Sequence, residues 1–583
     1  MTLLDPTFRP FLAELFALDP VFATSIGEHA HDASWPDLSE AGRASRLAFV
    51  ERWTATFDGL TELSPGDTID RDLILGQLDA MRFDDAVLRE EAWNPLAWVY
   101  LLGGGLFGLL SRDFAPLAER LASVAGRLEG IPDVLDAAQA ALVGVGGVAG
   151  LAPRPVGRFQ TETALTQLAG VEALFQQALD EAASAKGGDP AVETIEPRLI
   201  AASATARAAL DGFADHLRET VLPASDGDGR LGRELFARKM RHTMRSEALT
   251  PERILARAES EFTAVRAEMV RLARDLWPAW CPDRPIPDED QALVRGVLDA
   301  VAVEHPAADD KLEYCRAEHR RIEAFCRDID LIGLSEEPLE IRWTPVFLRA
   351  FGGAMLIAPG PLEHGQVSYF AITPAPDDWT AEQRESALRE DNDRMLRLLT
   401  IHEAVPGHYL QGTYANQCPS LPRAVFHSGL FAEGWAVYVT QVMMDVGYGA
   451  DDPALLLTHW KYYLRCVINA IIDARIHTDG MTEDEAVALM VDGGFQEASE
   501  ARAKFSRARL SSTQLSTYFA GSFELWDMEL ETRRRAAGDP TIQARALPGG
   551  FGATPGFVYR DHLESVIAHG SPPTALLRRI LLG

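Results

Sequence analysis

One segment of the chain, residues 398–411, places two histidines and a glutamate among apolar residues at helical spacing. Its centre is His402-Glu403-Ala404-Val405-Pro406-Gly407-His408. In a helix that carries H-E-x-x-H, both histidines lie on one face and bind zinc, and the glutamate acts as the general base. Here the second histidine follows the first by six positions, not four.

This spacing requires a break in the helix. Six residues correspond to a rotation of about 240° around the helix axis, so a straight helix would direct His408 away from His402. Pro406 lacks the N–H that would bond to the carbonyl of His402, and Gly407 can adopt backbone angles that other residues avoid. We therefore predict a bulge that returns His408 to the side of His402. The alternative is that the helix ends at Pro406 and that His408 belongs to a loop or to the next helix.

A third metal ligand, Glu433, is predicted from the next helical segment, residues 424–445. It lies among apolar residues, and a carboxylate is costly to bury unless it is paired or binds a metal. Two histidines and one glutamate are the ligands of one type of catalytic zinc site, which leaves a fourth position for water. The alternatives are an ordinary surface or salt-bridged role for Glu433, and His427 as a competing ligand. Sites of this composition can also bind other divalent ions.

The motif H-E-x-x-P-G-H, followed by Glu433-Gly434-Trp435-Ala436, resembles the bacterial domain of unknown function 885 family, whose members resemble zinc metallopeptidases of the gluzincin type. The resemblance implies a large multi-helix metallopeptidase-like fold. Similar blocks occur at residues 19–39, 127–132, 473–482 and 514–521. The chain departs from the family at four positions. An Arg is usual at Asn469, a Gly at Arg475, and Pro-Gly at Ser512-Thr513.

Two further catalytic residues are predicted from these blocks, His477 and Tyr518. Hydrolysis of an amide builds negative charge on the carbonyl oxygen, and a positioned donor beyond the metal stabilises it. Asp473, one helical turn before His477, is a candidate for orienting a ligand histidine. Each of the three could equally be an ordinary structural residue.

The predicted fold is mainly α, because apolar residues recur at helical intervals over most of the chain. Turn-forming residues at 224–230 predict a boundary between an N-terminal helical region, 1–230, and a catalytic region, 231–583. Within the latter, residues 339–373 predict a small β-sheet or hairpin next to a central active-site cleft. Its edge could bind an extended peptide as an added strand, or the hairpin could only cap the helices. The predicted helices cover residues 10–18, 40–57, 70–91, 117–142, 161–185, 197–221, 251–276 and 309–328.

Composition restricts the partners and the compartment. The net charge of −31 argues against nucleic acid and against an anionic membrane. Five cysteines without C-x-x-C spacing favour a reducing compartment. The N-terminus lacks a basic segment, and the longest apolar run, residues 95–110, is shorter than the ~20 residues of a membrane span. We therefore expect a cytoplasmic protein.

These observations predict a zinc-dependent metallopeptidase that cleaves short peptides. His402, His408 and Glu433 would bind the metal, and Glu403 would activate the water. The alternatives are a metal-dependent hydrolase of another amide or ester, and a catalytically inactive binding protein without metal. The sequence does not predict the oligomeric state, or whether cleavage is exo or endo.

Overall fold

The computed structural model describes residues 4–345, 348–349, 353–363, 365–376 and 379–583. Helices form most of this part of the chain, and its only multistranded sheet has three strands. The predicted mainly α fold with a small sheet is therefore confirmed. Residues 346–347, 350–352 and 364, which belong to the predicted sheet region, lie outside the described residues.

The chain divides into two compact units. The first comprises Met1–Arg230 together with Pro345–Phe351 and Pro359–Val367. The second comprises Leu231–Thr344, Gly352–Ala358 and Ser368–Gly583. Every candidate site residue belongs to the second unit.

The first unit is helical, and several of its helices begin with a proline behind a capping side chain. Asp19, Ser64 and Asn94 accept hydrogen bonds from the backbone of the first turn that follows them. The predicted helix at 70–91 is interrupted, because Arg89 adopts a left-handed backbone conformation with φ of 47°. The helices are α1 Asp5–Leu18, α2 Pro20–Ile26, α3 Glu40–Asp58, α4 Pro65–Phe83, α5 Glu90–Trp93, α6 Pro95–Leu110, α7 Leu117–Ala141, α8 Arg158–Ala185, α9 Pro190–His216 and α10 Leu222–Ala224, with π-helical turns at Asp84–Leu88 and Leu217–Val221.

The second unit contains fifteen of the described α-helices. Thr250 caps one of them, and Thr380 and Gln383 form the capping box expected from the sequence. The predicted helix at 424–445 is two helices, because Ser428 caps a new start at Gly429. The helices are α11 Arg233–Met244, α12 Pro251–Trp280, α13 Asp290–Val301, α14 Lys311–Asp328, α15 Ala381–Glu390, α16 Asp393–Glu403, α17 His408–Asn416, α18 Leu421–Val425, α19 Gly429–Asp445, α20 Pro453–Thr478, α21 Glu483–Ala488, α22 Ala498–Leu510, α23 Leu515–Ala537, α24 Tyr559–Ile567 and α25 Thr574–Leu582, with a π-helical turn at Leu489–Gly493 and a 3₁₀ turn at Ala308–Asp310.

The sheet consists of β1 Leu339–Trp343, β2 Ala354–Ile357 and β3 Ser368–Ile372 in the order β1-β3-β2. Strand β3 pairs in parallel with β1 and antiparallel with β2, so β2 forms one edge. The N–H of Thr373 donates to the carbonyl of Gly353 at 2.8 Å, which places Gly353 in a hydrogen-bonded pair. Because such pairs alternate along an antiparallel ladder, Ala354 and Leu356 direct their backbone groups away from β3, toward the free edge.

A membrane span would need a long apolar helix. Among the described residues no single helix meets this requirement. Two consecutive helical segments, Pro65–Trp93 and Pro95–Leu110, meet it only when they are taken together, and the chain bends by 99° between them.

Candidate metal centre

The two histidines of the central motif lie side by side. Helix α16 ends at Glu403 and α17 begins at His408, so the helix does end between them. The turn that joins the helices nevertheless returns His408 toward His402. Their ring centroids are 4.7 Å apart, and the ring planes are inclined at 82°.

The turn depends on Pro406, Gly407 and a tryptophan from α19. The Val405–Pro406 peptide bond is cis, and the N–H of Gly407 donates to the carbonyl of Ile401 at 3.0 Å. A Cβ on Gly407 would lie 1.9 Å from the carbonyl oxygen of His402, so no side chain fits at this position. Nε1 of the buried Trp435 donates to the carbonyl of Pro406 at 2.8 Å. The turn is therefore held by the hydrogen bonds of Gly407 and Trp435, and any larger residue at position 407 would disrupt it.

Helix α19 brings Glu433 to the two histidines. Oε2 of Glu433 lies 3.5 Å from Nε2 of His408 and 4.0 Å from Nε2 of His402. One potential ligand atom from each of the three residues lies within 4.8 Å of the others. Tetrahedral zinc with bonds near 2.1 Å requires ligand atoms about 3.4 Å apart. The three side chains are therefore close to the spacing that a zinc ion needs.

A contact between two glycines positions Tyr518 beside Glu433. A Cβ on Gly434, in α19, would lie 2.3 Å from the carbonyl carbon of Gly521, in α23. A Cβ on Gly521 would lie 2.0 Å from the carbonyl oxygen of Leu430. The backbones of α19 and α23 therefore touch, and Tyr518, almost one turn before Gly521, reaches the carboxylate of Glu433 and hydrogen-bonds to it.

Burial and mutual charge control protonation in the cluster. Burial, together with the neighbouring His408, lowers the pKa of His402 to about 3. Burial also acts against the charged form of His408, but its hydrogen bond with Glu433 outweighs this and raises the pKa of His408. Burial opposes the charged form of Glu433 as well, yet the same hydrogen bond lowers the pKa of Glu433. At neutral pH the ring of His402 is therefore neutral and can donate an electron pair.

Glu403 follows His402 at the end of α16 and faces the edge of the sheet. Burial raises the pKa of its carboxyl group to about 7. The backbone of Leu356, whose N–H points away from β3, donates a hydrogen bond to the carboxylate. Among the described residues, its buried Oε2 atom has no hydrogen-bond partner. One carboxylate oxygen is therefore open to a water molecule or a substrate group.

The structure does not bring His477 to this cluster. It lies near the end of α20, and Tyr462, which packs its ring 5.7 Å from that of His402, is fifteen residues earlier, or about 22 Å along the helix. Nδ1 of His477 accepts a hydrogen bond from the N–H of Leu231 at 3.1 Å, and Nε2 lies 3.0 Å from the carbonyl of Ala508. Both ring nitrogens are thus occupied by backbone groups, which indicates a structural crosslink between segments.

Asp473 also has a structural environment, and it bonds to no ligand histidine among the described residues. Its carboxylate accepts hydrogen bonds from the N–H of Thr513 at 3.0 Å, and from the N–H and hydroxyl of Ser516 at 3.0 and 2.7 Å. Thr513 has a φ of 74°, a conformation that favours glycine, and glycine is the residue usual in the family at this position. The departure at Thr513 therefore affects the surroundings of Asp473 and not the cluster of His402, His408 and Glu433.

The structure adds four groups to the site that sequence reasoning did not assign. They are Tyr462, the backbone N–H of Leu356, Gln514 and Arg507. Nη2 of Arg507 lies 3.3 Å from the hydroxyl of Tyr518, and Nε2 of Gln514 lies 3.4 Å from the same oxygen. Gln514 belongs to the segment 514–521 that resembles the family, so a sequence signal marks it. The other three groups come from two helices and a strand that contain no recognisable motif at these positions.

Known structures resemble this chain over almost its whole length. One of them is from Shewanella oneidensis and is called a "putative lipoprotein" of unknown function. It is 30% identical in sequence and superposes with a TM-score of 0.78, and the match covers 99% of this chain and 98% of that chain. Another is from Colwellia psychrerythraea and is also called a "putative lipoprotein". It is 14% identical in sequence and superposes with a TM-score of 0.75, and the match covers 97% of this chain and 96% of that chain. No curated protein matches the sequence. The profile of one family, described as a bacterial protein of unknown function (DUF885), matches residues 20–581, and the chain belongs to this family.

Proposed function

We propose that this protein is a zinc-dependent hydrolase that cleaves short peptides. The observation that carries the proposal is the cluster of His402, His408 and Glu433, whose ligand atoms lie within 4.8 Å of one another. Glu403 adjoins the cluster with one buried oxygen that has no partner among the described residues. The resemblance of the motif to gluzincin metallopeptidases supports the same reaction class.

The donor set fits zinc. Two imidazole nitrogens and one carboxylate oxygen leave a fourth tetrahedral position open. Three protein ligands with one open position are typical of catalytic zinc sites, whereas structural zinc sites have four protein ligands. A bound zinc ion would act as a Lewis acid on the carbonyl group and would make water a stronger nucleophile. The low pKa of His402, about 3, keeps its nitrogen available for a metal at any pH at which the protein would work.

Glu403 is the proposed general base. Its unpartnered Oε2 takes a proton from the attacking water and then delivers that proton to the nitrogen of the leaving amine. A base is most effective when its pKa is near the working pH, and burial raises the pKa of Glu403 to about 7.

Tyr518 is the proposed donor to the carbonyl oxygen. Burial, followed by the charge of Glu433, raises the pKa of its hydroxyl well above the ordinary value for tyrosine, so the hydroxyl keeps its proton at neutral pH. A neutral phenol has one proton to donate, and in the structure it serves the hydrogen bond with Glu433. With substrate bound, the hydroxyl would donate instead to the oxygen on which negative charge develops. His477, whose two nitrogens have backbone partners, has no place in this mechanism.

The free edge of β2 is the proposed binding site for the peptide backbone. Ala354 and Leu356 direct their N–H and C=O groups away from β3, and the N–H of Leu356 is within hydrogen-bond reach of Glu403. A peptide that pairs with this edge would extend the sheet by one strand and would pass directly in front of the general base.

The test combines metal analysis with Glu403→Gln, which removes the base and keeps the shape. We expect purified wild type to bind one zinc ion per chain and to hydrolyse a mixture of short peptides. The Glu403→Gln protein should bind the same amount of zinc and lose about 10³-fold or more in kcat. His402→Ala combined with His408→Ala should abolish zinc binding.

The matched control is His305→Ala, which removes an exposed histidine–glutamate contact within the same unit. It should change neither zinc content nor hydrolysis. A wild-type protein that binds no zinc, or a Glu403→Gln protein that stays fully active, would refute the proposal.

A further inference from the structure

Arg507 is distinguished from the other cationic side chains near the metal-ligand cluster by its partners. Its guanidinium donates to Oε1 of Gln514 at 3.0 Å and to the hydroxyl of Tyr518 at 3.3 Å, both of which are neutral groups. Across the described ranges, no carboxylate lies within 4.0 Å of its guanidinium. The side chain is partly exposed, so its charge is accessible to a ligand.

The neighbouring cations have carboxylate partners. Arg465 pairs with Glu390 at 3.2 Å and also with Glu500. Lys461 pairs with Glu390 at 2.8 Å, and Lys504 lies 3.5 Å from Glu500. Three cations thus share two carboxylates, and Arg507 adds a further positive charge without a further acid. The positive charge at this side of the cluster is therefore not fully neutralised by the described residues.

The position of Arg507 relative to Glu433 limits what it can bind. Tyr518 links the two groups, through the 3.3 Å contact with Arg507 and a hydrogen bond to Glu433. Because both contacts are made by the same hydroxyl oxygen, the guanidinium and the carboxylate of Glu433 are separated by about two hydrogen-bond lengths, roughly 6–7 Å. One peptide residue advances the chain by about 3.8 Å. Only one or two residues therefore fit between a bond cleaved at the metal and a group held by Arg507.

The anion that best matches these conditions is a carboxylate. Arginine presents parallel N–H donors that fit both oxygens of a carboxylate, and such charge-assisted pairs are stronger than hydrogen bonds between neutral groups. A peptide always carries this group at its C-terminus.

We propose that Arg507 binds the C-terminal carboxylate of the substrate, so that the protein removes one or two residues from the C-terminal end of short peptides. This inference rests on the proposed peptidase function. The side-chain amide of Gln514 completes the pocket as a neutral donor. Arg507 is a specificity residue in this scheme, while Tyr518 contacts the reacting carbonyl group.

A competing explanation is that Arg507 only positions Tyr518. The two explanations differ in their dependence on the substrate terminus. A positioning residue affects all peptides equally, whereas a carboxylate-binding residue affects only peptides that carry a free C-terminal carboxylate.

The experiment compares N-acetylated peptides of three to six residues, each with a free C-terminal carboxylate or a C-terminal amide. The full-length zinc-loaded protein is used as wild type, Arg507→Gln, Arg507→Lys and the matched control Arg502→Gln, an exposed arginine on the same helix. We expect wild type to prefer the acid by about 100-fold in kcat/KM and to release single amino acids or dipeptides, identified by mass spectrometry. In Arg507→Gln the ratio of kcat/KM for acids to kcat/KM for amides should fall by about 100-fold, Arg507→Lys should retain part of the preference, and Arg502→Gln should behave like wild type.

Binding of the same peptides to the zinc-loaded Glu403→Gln protein, measured by calorimetry, gives a readout that does not require hydrolysis. Equal binding of acid and amide, or no binding of either, would overturn the inference. Equal cleavage of acids and amides by wild type would also overturn it and would leave the proposed peptidase function intact. Preferential binding of acids without any hydrolysis would support the carboxylate site and would refute the peptidase function.

Discussion

Replacing Gly434 with alanine tests whether the contact between α19 and α23 positions the site. The added Cβ would lie 2.3 Å from the carbonyl carbon of Gly521 and 2.4 Å from its Cα. These are backbone atoms, so no rotamer change can relieve the clash. To reach an ordinary separation of about 3.4 Å, the two helices must move apart by about 1 Å.

The expected loss in the free energy of unfolding is the difference between two opposing effects. Overpacking a close contact costs about 1–3 kcal/mol, and a contact between two backbones belongs at the upper end of that range. Alanine gains about 1 kcal/mol over glycine in helix propensity. The net loss should therefore be about 2 kcal/mol, and Tyr518 should lose its hydrogen bond with Glu433.

The assay is urea unfolding followed by circular dichroism, together with zinc affinity and kcat. Gly412→Ala in α17 is the matched control, because its Cβ would meet no atom within 4 Å, and it should leave stability unchanged or raise it by up to about 1 kcal/mol. Gly434→Ala should unfold at lower urea concentration and should lose more in kcat than in zinc affinity. If Gly434→Ala were as stable and as active as Gly412→Ala, the reasoning would be refuted.

Four other predictions concern single features of the structure. Trp435→Phe removes the hydrogen bond to the carbonyl of Pro406 and should weaken zinc binding about 5-fold, measured by competition with a chelator. Thr513→Gly should be more stable than Thr513→Ala by about 1 kcal/mol in urea unfolding, because only glycine relieves the strain of a φ of 74°. Burial disfavours the charged form of His29, but hydrogen bonds to Asp32 and Glu363 outweigh it and raise the pKa of His29 to about 9. The stability that these ion pairs contribute is therefore complete below pH 6.5 and is lost as the pH rises through 9. The unfolding free energy of wild type should therefore fall by about 1 kcal/mol over this interval relative to His29→Gln, and parallel pH curves would contradict the assignment. The cytoplasmic location stays a prediction, and recovery of the untagged protein in the envelope fraction of its native host would contradict it.

The proximity of His402, His408 and Glu433 could be predicted from the sequence because its signals are local. The six-residue spacing of His402 and His408 requires a break, and Pro406-Gly407 supplies one. Glu433 is conspicuous because a carboxylate in an apolar helix needs a partner. In all three cases the chemistry and the secondary structure are encoded within a few neighbouring residues.

The surroundings of the cluster could not be predicted in the same way. Tyr462, Leu356 and Arg507 lie on three elements far apart in sequence, and only tertiary packing brings them to the site. His477 lies in a block that resembles the family, but sequence spacing cannot distinguish a histidine bonded to backbone groups from one that contacts substrate. The break before Gly429 could not be predicted because no proline marks it, and Ser428, which caps the new helix, is a residue type that also occurs inside helices.

The touching glycines of α19 and α23 impose a limit on how this family can diverge. When a large residue meets a small one, enlargement of one partner can be offset by shrinkage of the other. Gly434 and Gly521 are both already the smallest residue, so neither can accommodate growth of its partner. Relatives that retain a tyrosine beside the glutamate at position 433 should therefore keep both glycines together. Relatives that lose one glycine should have lost the other and the tyrosine as well.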